Sequence, residues 1–178
     1  MILETERLII RRFKPTDWED LYDYLSDEKV IEYEPYEIFT KEEAKKSAML
    51  RAQNGNFLAV VLKSNDKVIG NLYFNHIEPK HFMTWEFGYV FNSNYWKKGY
   101  AYESAKKLQE YIFNELKAHR IIANCNTKNN NSWKLLEKLN MRREGHFKNV
   151  AFFKKDDSDN PLWHDSFLYA ILKSEFLI

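Results

Sequence analysis

The sequence predicts an α/β protein of the α+β kind, built on a mixed, mostly antiparallel central sheet with helices on both faces. Three observations predict it. Apolar and aromatic runs at Phe57–Leu62, Val68–His76 and Phe82–Phe91 follow one another closely, the pattern of consecutive antiparallel strands. Apolar or small residues at Ala101, Ala105, Leu108, Ile112 and Leu116 keep helical spacing, and such segments alternate with strand-like runs in the second half. Only 5 Gly and 4 Pro occur, so no flexible linker is expected, and the length fits one domain over residues 1–178.

The elements follow in order. Leu8–Phe13 is the first strand. Trp18–Leu25 is a helix, with Thr16 as its N-cap and Glu19 three residues on, and a short helical piece lies near Val30. Thr40-Lys41-Glu42-Glu43 is a capping-box pattern opening a helix to about Ala52. Ser64-Asn65-Asp66-Lys67 supplies the turn between the second and third strands. After the fourth strand, Phe82–Phe91, comes the long helix Tyr100–Leu116, then a fifth strand, Arg120–Cys125, and a helix, Ser132–Leu139. Asn140 sits where that helix must turn sharply, and after Gly it is the residue best suited to a left-handed conformation. A final antiparallel pair lies near Arg142–Phe153 and Trp163–Leu172, joined by the turn-rich run Lys154–Pro161.

Composition excludes several classes. With 27 basic and 26 acidic side chains there is no basic bias, which argues against nucleic-acid or membrane-surface partners. No apolar run is long enough to span a bilayer. Glu4, Glu6 and Arg7 stand where a secretory leader would be apolar, so none is expected. One cysteine, Cys125, excludes an intrachain disulfide and fits a reducing, cytoplasmic setting. The five histidines show no metal-ligand spacing, so no metal is expected.

The stretch Asn94-Tyr95-Trp96-Lys97-Lys98-Gly99-Tyr100-Ala101 carries the chemistry. It reads as a short polar loop between a strand and the first turn of a helix. A helix N-terminus offers free backbone N–H groups and partial positive charge to a phosphate, Gly99 allows close approach, and Lys97 and Lys98 add charge. The glycine spacings of a Walker loop and of a dinucleotide fingerprint are both absent.

Trp96-Lys97-Lys98-Gly99-Tyr100-Ala101 resembles the coenzyme A pyrophosphate loop of the GNAT acetyltransferase superfamily, Arg/Gln-x-x-Gly-x-Gly/Ala. Trp at the first position is familiar in the branch of ribosomal-protein N-terminal (serine/alanine) acetyltransferase-like proteins, whereas Lys97 and Tyr102 depart from that branch's Gly and Thr. The resemblance extends along the chain. Glu4–Phe13 matches the branch's opening strand and Leu25–Val30 the step that follows its first helix. Asn129 to Ser132 matches its Asn-x-x-Ser, Leu135–Met141 its helix end, with Asn140 for the usual Gly, and Trp163–Glu175 its closing strand.

The resemblance implies a GNAT fold, with the fourth and fifth strands splayed apart, and an acetyl-CoA-dependent N-acetyltransferase. Acetyl-CoA would lie with its pantetheine arm along backbone groups of Tyr89, Val90 and Phe91 and its pyrophosphate on the N–H groups of Lys98, Gly99, Tyr100 and Ala101 beside Lys97. A backbone N–H of that strand would polarise the thioester carbonyl. Asn129 would bond near the pantetheine, although Asn and Ser are also ordinary N-cap residues. Ser132 would protonate the departing thiolate, because Leu136 occupies the position where many members carry a Tyr. Glu86 is the candidate base on the fourth strand, Asp165 is read as a structural carboxylate bonding across the splayed strands, and Cys125 as a buried hydrophobe, so transfer is expected to be direct.

The resemblance also implies a primary amine as acceptor. An α-amine, with a pKa of about 8, needs only a weak base, which favours a protein or peptide N-terminus. The alternatives are a small amine (polyamine, amino acid or antibiotic) and an acyl-CoA-binding module without turnover. The acceptor site would be built from Ile31–Phe39, acidic and aromatic, and from Phe147–Trp163. Family members often form homodimers, so the resemblance adds a second copy of the chain to the partners it implies.

Overall fold

In a computed structural model, which describes residues 1–176, eight strands form one sheet in the order β1-β2-β3-β4-β5-β6-β8-β7. The elements are β1 (Ile2–Glu4), β2 (Leu8–Arg12), α1 (Trp18–Leu25), α2 (Glu28–Ile31), α3 (Lys41–Gln53), β3 (Phe57–Leu62), β4 (Lys67–His76), β5 (Thr84–Phe91), α4 (Tyr100–Asn114), β6 (Arg120–Asn126), α5 (Asn130–Lys138), β7 (Arg142–Lys155) and β8 (Pro161–Leu172). Neighbours run antiparallel except β5 and β6, which are parallel. The strands expected as fourth and fifth are therefore β5 and β6, because Ile2–Glu4 adds an unforeseen first strand.

The sheet is covered on both faces, as the strand patterns require. Alternate side chains go to opposite sides. Leu8, Ile10, Leu58, Val60 and Leu72 pack on one face against Leu108, Ile112 and Phe113 of α4 and Leu136 of α5. Ala59, Val61, Val68 and Val90 pack on the other against Leu21, Tyr24 and Leu25 of α1, Val30 and Ile31 of α2, and Ala48 of α3. Ile69 and Leu72, three residues apart, face the same side because β4 carries an extra residue there: Val60 pairs with Gly70 but Val61 with Val68.

Helix ends follow local chemistry. Thr40 Oγ1 accepts from the Glu43 N–H (3.2 Å) while Glu43 accepts from the Thr40 N–H (2.8 Å), the reciprocal box expected. α3 buries only Ala44, Ala48 and Arg51. The Arg51 guanidinium, 5 % exposed, donates to Asn71 Oδ1 (2.9 Å) and lies over the Phe57 ring (4.5 Å), while the Tyr24 hydroxyl donates to the same Asn71 oxygen (2.9 Å). Asn140 is left-handed at φ 60°, as its position demands.

Other expectations shift. Thr16 does not cap α1: Pro15–Asp17 forms a 3-10 turn, and Asp17 is bound instead by Arg11 (2.8 Å) and the Lys14 N–H (2.7 Å). β5 begins at Thr84 because Lys80–Phe82 winds into a 3-10 turn that ends on left-handed Met83. The final hairpin is longer than expected, since Asp156 accepts from the Ser158 and Asn160 N–H groups (2.9 Å each) and closes the turn only at Lys155–Pro161.

One glycine fixes the register of the strands that build the site. A Cβ on Gly70 would fall 2.5 Å from the Val90 carbonyl oxygen and 2.7 Å from the Phe91 ring. The nearest obstacle is backbone, which has nowhere to move inside a paired sheet. Gly70→Ala is expected to cost about 1–3 kcal/mol through overpacking, read as a lower midpoint in urea unfolding; an unchanged midpoint would show that β4 and β5 separate freely.

Candidate active site

β5 and β6 pair only over Thr84–Glu86 and Arg120–Ile122. Beyond that point each keeps its outer partner, β5 with β4 as far as Phe91 and β6 with β8 as far as Asn126, but they part from one another. This is the expected splay. A cavity of about 360 Å³ occupies the gap, within the size range of small-ligand sites.

Strand parity gives the cavity two chemically different ends. On the α4/α5 side the odd residues of β5 and β6 look in, with Tyr89 and Cys125 meeting Asn129, Ser132 and Leu136 of the α5 start. On the α1–α3 side, Glu86 and Gly88 of β5 and Asn124 and Asn126 of β6 meet Tyr33, Glu34 and Tyr36, with Tyr73 of β4 and His164 of β8. The resulting passage runs through the sheet.

The loop below β5 is held open by backbone geometry. Lys97 (φ 60°) and Gly99 (φ 84°) are left-handed, and α4 starts at Tyr100. Among the described residues the backbone N–H groups of Lys98, Gly99, Tyr100 and Ala101 have no protein acceptor. The alternating left-handed turns gather successive N–H groups into a concavity ahead of the helix dipole, a geometry suited to an anion. Lys97 and Lys98 are exposed beside it. Val90 and Phe91 are buried in the sheet, and the Phe91 carbonyl accepts from Trp96 Nε1 (2.7 Å), which fastens the loop to the strand.

A second clamp holds this loop from behind. Glu103 of α4 accepts from the Thr5 hydroxyl (2.5 Å), the Arg7 N–H (3.1 Å) and Arg7 Nε (2.7 Å). Arg7 Nη1 in turn donates to the Lys98 carbonyl (3.0 Å), and its guanidinium lies 4.4 Å from the Tyr100 ring centre. Burial works to raise the Glu103 carboxyl and is outweighed by the bonds from Thr5 and Arg7, which hold it below its ordinary value. Nothing local in Thr5–Arg7 announces this contact, which spans more than ninety residues of sequence.

At the α5 start, Asn129 Oδ1 accepts from the Ser132 N–H (3.1 Å), so its oxygen acts as the N-cap. The Tyr89 hydroxyl donates to the Ser132 carbonyl (3.0 Å) and sits 3.1 Å from Ser132 Oγ. A phenol thus stands beside Ser132 although position 136 carries Leu; it comes from β5, not from the helix. Burial raises the Cys125 thiol to about 11, which suits a packed thiol and leaves little thiolate for nucleophilic attack.

At the opposite end, Glu86 Oε1 accepts from Asn124 Nδ2 (2.9 Å) across the mouth of the gap. Glu34 lines the same end, where the sequence pattern points only to its segment, Ile31–Phe39. The Asp165 carboxylate lies elsewhere than expected. It accepts from His146 (2.8 Å), Lys148 (2.9 Å) and the Asn149 N–H (2.9 Å), all on β7, so it braces the final hairpin and does not bridge the splayed strands.

Similarity to known proteins agrees with this geometry. Residues 7–142 match the acetyltransferase (GNAT) domain. The chain is 41 % identical to the uncharacterized N-acetyltransferase YnaD of Bacillus subtilis over 99 % of both chains. The crystal structure of a GNAT-family acetyltransferase from Bacillus anthracis superposes with a TM-score of 0.88 at 36 % identity, covering 98 % of this chain and 100 % of that one. A ribosomal-protein-S5-alanine acetyltransferase from Vibrio fischeri shares the fold, with a TM-score of 0.81 at 23 % identity over the whole of both chains. The chain belongs to the GNAT acetyltransferases and is an acetyl-CoA-dependent acyltransferase.

Proposed function

We propose that the enzyme transfers acetyl directly from acetyl-CoA to the α-amine of a protein or peptide N-terminus. The observation that carries this reading is the through-sheet passage, with Tyr89, Asn129 and Ser132 toward one face and carboxylates among aromatic rings toward the other. An ammonium group suits Glu34 and Glu86 flanked by Tyr33, Tyr36 and Tyr73, which offer charge and ring faces together. Phe147, Phe152 and Trp163 of the β7–β8 hairpin are exposed, which favours a chain-like acceptor over one enclosed in a pocket. A cavity of about 360 Å³ also admits a small amine, the second reading.

In this reading the N–H groups of Lys98, Gly99, Tyr100 and Ala101 hold the pyrophosphate, with Lys97 and Lys98 adding charge. Tyr89, Val90 and Phe91 present backbone along the parted edge of β5 to the pantetheine, and Asn129 offers its free amide nitrogen. A backbone N–H of β5 stabilises negative charge on the thioester oxygen during attack. Ser132, held by Tyr89, protonates the thiolate that leaves. Glu86, fixed by Asn124, engages the acceptor's ammonium as base or counter-ion. The single buried Cys125 supports a reducing, cytoplasmic setting.

Thiol release from acetyl-CoA, measured against Ser- and Ala-terminal peptides, polyamines, aminoglycosides and free amino acids, tests the acceptor. Turnover with peptides is expected, and turnover with small amines alone would overturn that part. Gly99→Glu sets a side chain and a negative charge at the phosphate loop and is expected to abolish both coenzyme A binding and turnover. Arg7→Ala releases the loop clamp and is expected to raise KM for acetyl-CoA about tenfold, equivalent to about 1.4 kcal/mol, with kcat nearly unchanged. Ser132→Ala is expected to lower kcat about 10²-fold with KM little affected.

A further inference from the structure

The acceptor end contains two carboxylates in different circumstances. Glu86 is engaged by the Asn124 amide. Glu34 lines the same cavity, is half-buried, and has no hydrogen-bond or salt-bridge partner for its carboxylate among the described residues. Its backbone is fixed, since the Glu34 N–H donates to the Ile31 carbonyl (3.0 Å) at the end of α2. A carboxylate held in a cleft with no partner is costly unless a ligand supplies one. We propose that Glu34 is the general base of the reaction, taking a proton from the acceptor's ammonium while Glu86 holds that ammonium in place.

Burial drives the Glu34 carboxyl up to about 7, and the Arg51 charge behind the cavity wall opposes that rise. The charged and titratable groups that act on it are Arg51 from α3, Tyr36 from its own segment and Tyr89 from β5, while Tyr33, Tyr73 of β4, Glu86 of β5, Cys125 of β6 and His164 of β8 line the same cavity. Arg51 is turned away to Asn71 and the Phe57 ring, so it tempers Glu34 without capping it. His164 is the rival base: its Nδ1 lies 3.2 Å from the Asp165 carbonyl, and its Nε2 is buried without a partner.

The balance of the step is simple. The ammonium gives one proton to Glu34, which passes it to water. The freed nitrogen lone pair forms the bond to the acetyl carbon, the carbon–sulfur bond breaks, and the second proton leaving nitrogen replaces the one that Ser132 delivers to the thiolate. A base near 7 matches an α-amine closely. Proton transfer from a group of pKa about 8 is uphill by only about tenfold, against roughly 2,500-fold from a lysine-like amine at about 10.4. The inference rests on the amine-acetylation reading and sharpens it toward α-amines.

Two measurements test it. The first is the pH profile of kcat/KM for the wild type, Glu34→Gln, Glu34→Asp, Glu86→Gln and His164→Phe, with whichever amine turns over fastest. The expected wild-type profile rises with pH through about 7 as Glu34 loses its proton. Glu34→Gln is expected to lose about 10²-fold and that limb, and Glu34→Asp to recover part of both. Glu86→Gln and His164→Phe are expected to be slower but to keep the limb. Persistence of the limb in Glu34→Gln, or its loss in His164→Phe, overturns the assignment. The second needs no acceptor: carbon-13 NMR of protein labelled at glutamate Cδ. A resonance absent from Glu34→Gln is expected to titrate near 7, and titration at the ordinary carboxylate value of about 4.3 overturns the proposal. If peptides are inert but a small amine is acetylated with the same limb, the acceptor reading fails and the base assignment stands.

Discussion

The parting of β5 from β6 after Glu86 is the constraint on which the rest depends. Two neighbouring strands separate cheaply only when each is secured on its other side. Here β4 pairs with β5 from His76 to Gly70, and β8 pairs with β6 through Asn126, so each strand gives up a single row of backbone partners. Those unpaired groups face the gap, and a ligand lying along them would return part of the lost hydrogen bonding. Gly70 is where this arrangement is tightest, because the β4 backbone must press against Val90 with no side chain between them.

How much of this was legible in the sequence differs by distance along the chain. Elements set by local pattern were readable: the Thr40–Glu43 box, the left-handed Asn140, the apolar stripe of α4 and the strand runs of β3 to β6. Ile2–Glu4 was not, since a three-residue strand has no periodicity to detect and exists only by pairing with β2. Thr16 failed as a cap because Asp17 made stronger, charged bonds to Arg11 one strand away. Gly99 lies in a short loop between β5 and the first turn of α4, where the strand-loop-helix pattern is readable locally.

Long-range partnerships stayed hidden. The Arg7–Glu103 clamp, the Tyr89 hydroxyl beside Ser132 and a Glu34 carboxylate without a partner among the described residues all depend on which elements the fold apposes. Glu34 sits in a run of acidic and aromatic residues where Glu32, Glu34 and Glu37 look equivalent in sequence. Only packing against β4 and β5 separates the half-buried one from its exposed neighbours. Asp165 shows the same limit in reverse, since its charge is consumed by β7 through contacts set by irregular strand pairing.

β7 is the last strand of an open sheet, and it is long, exposed and carries Phe147, Phe152 and Phe153. Such an edge would ordinarily template the addition of a foreign strand. Three register shifts against β8, at Arg143–Gly145, Phe147–Ala151 and Phe152–Lys155, break its hydrogen-bonding rhythm, and Lys148, Lys154 and Lys155 place charge along it. The opposite edge, β1, is three residues long and offers almost nothing to pair with. The sheet is thereby guarded against polymerisation at both margins, which lets the chain carry aromatic surface next to the cavity between β5 and β6 without becoming a seed for aggregation.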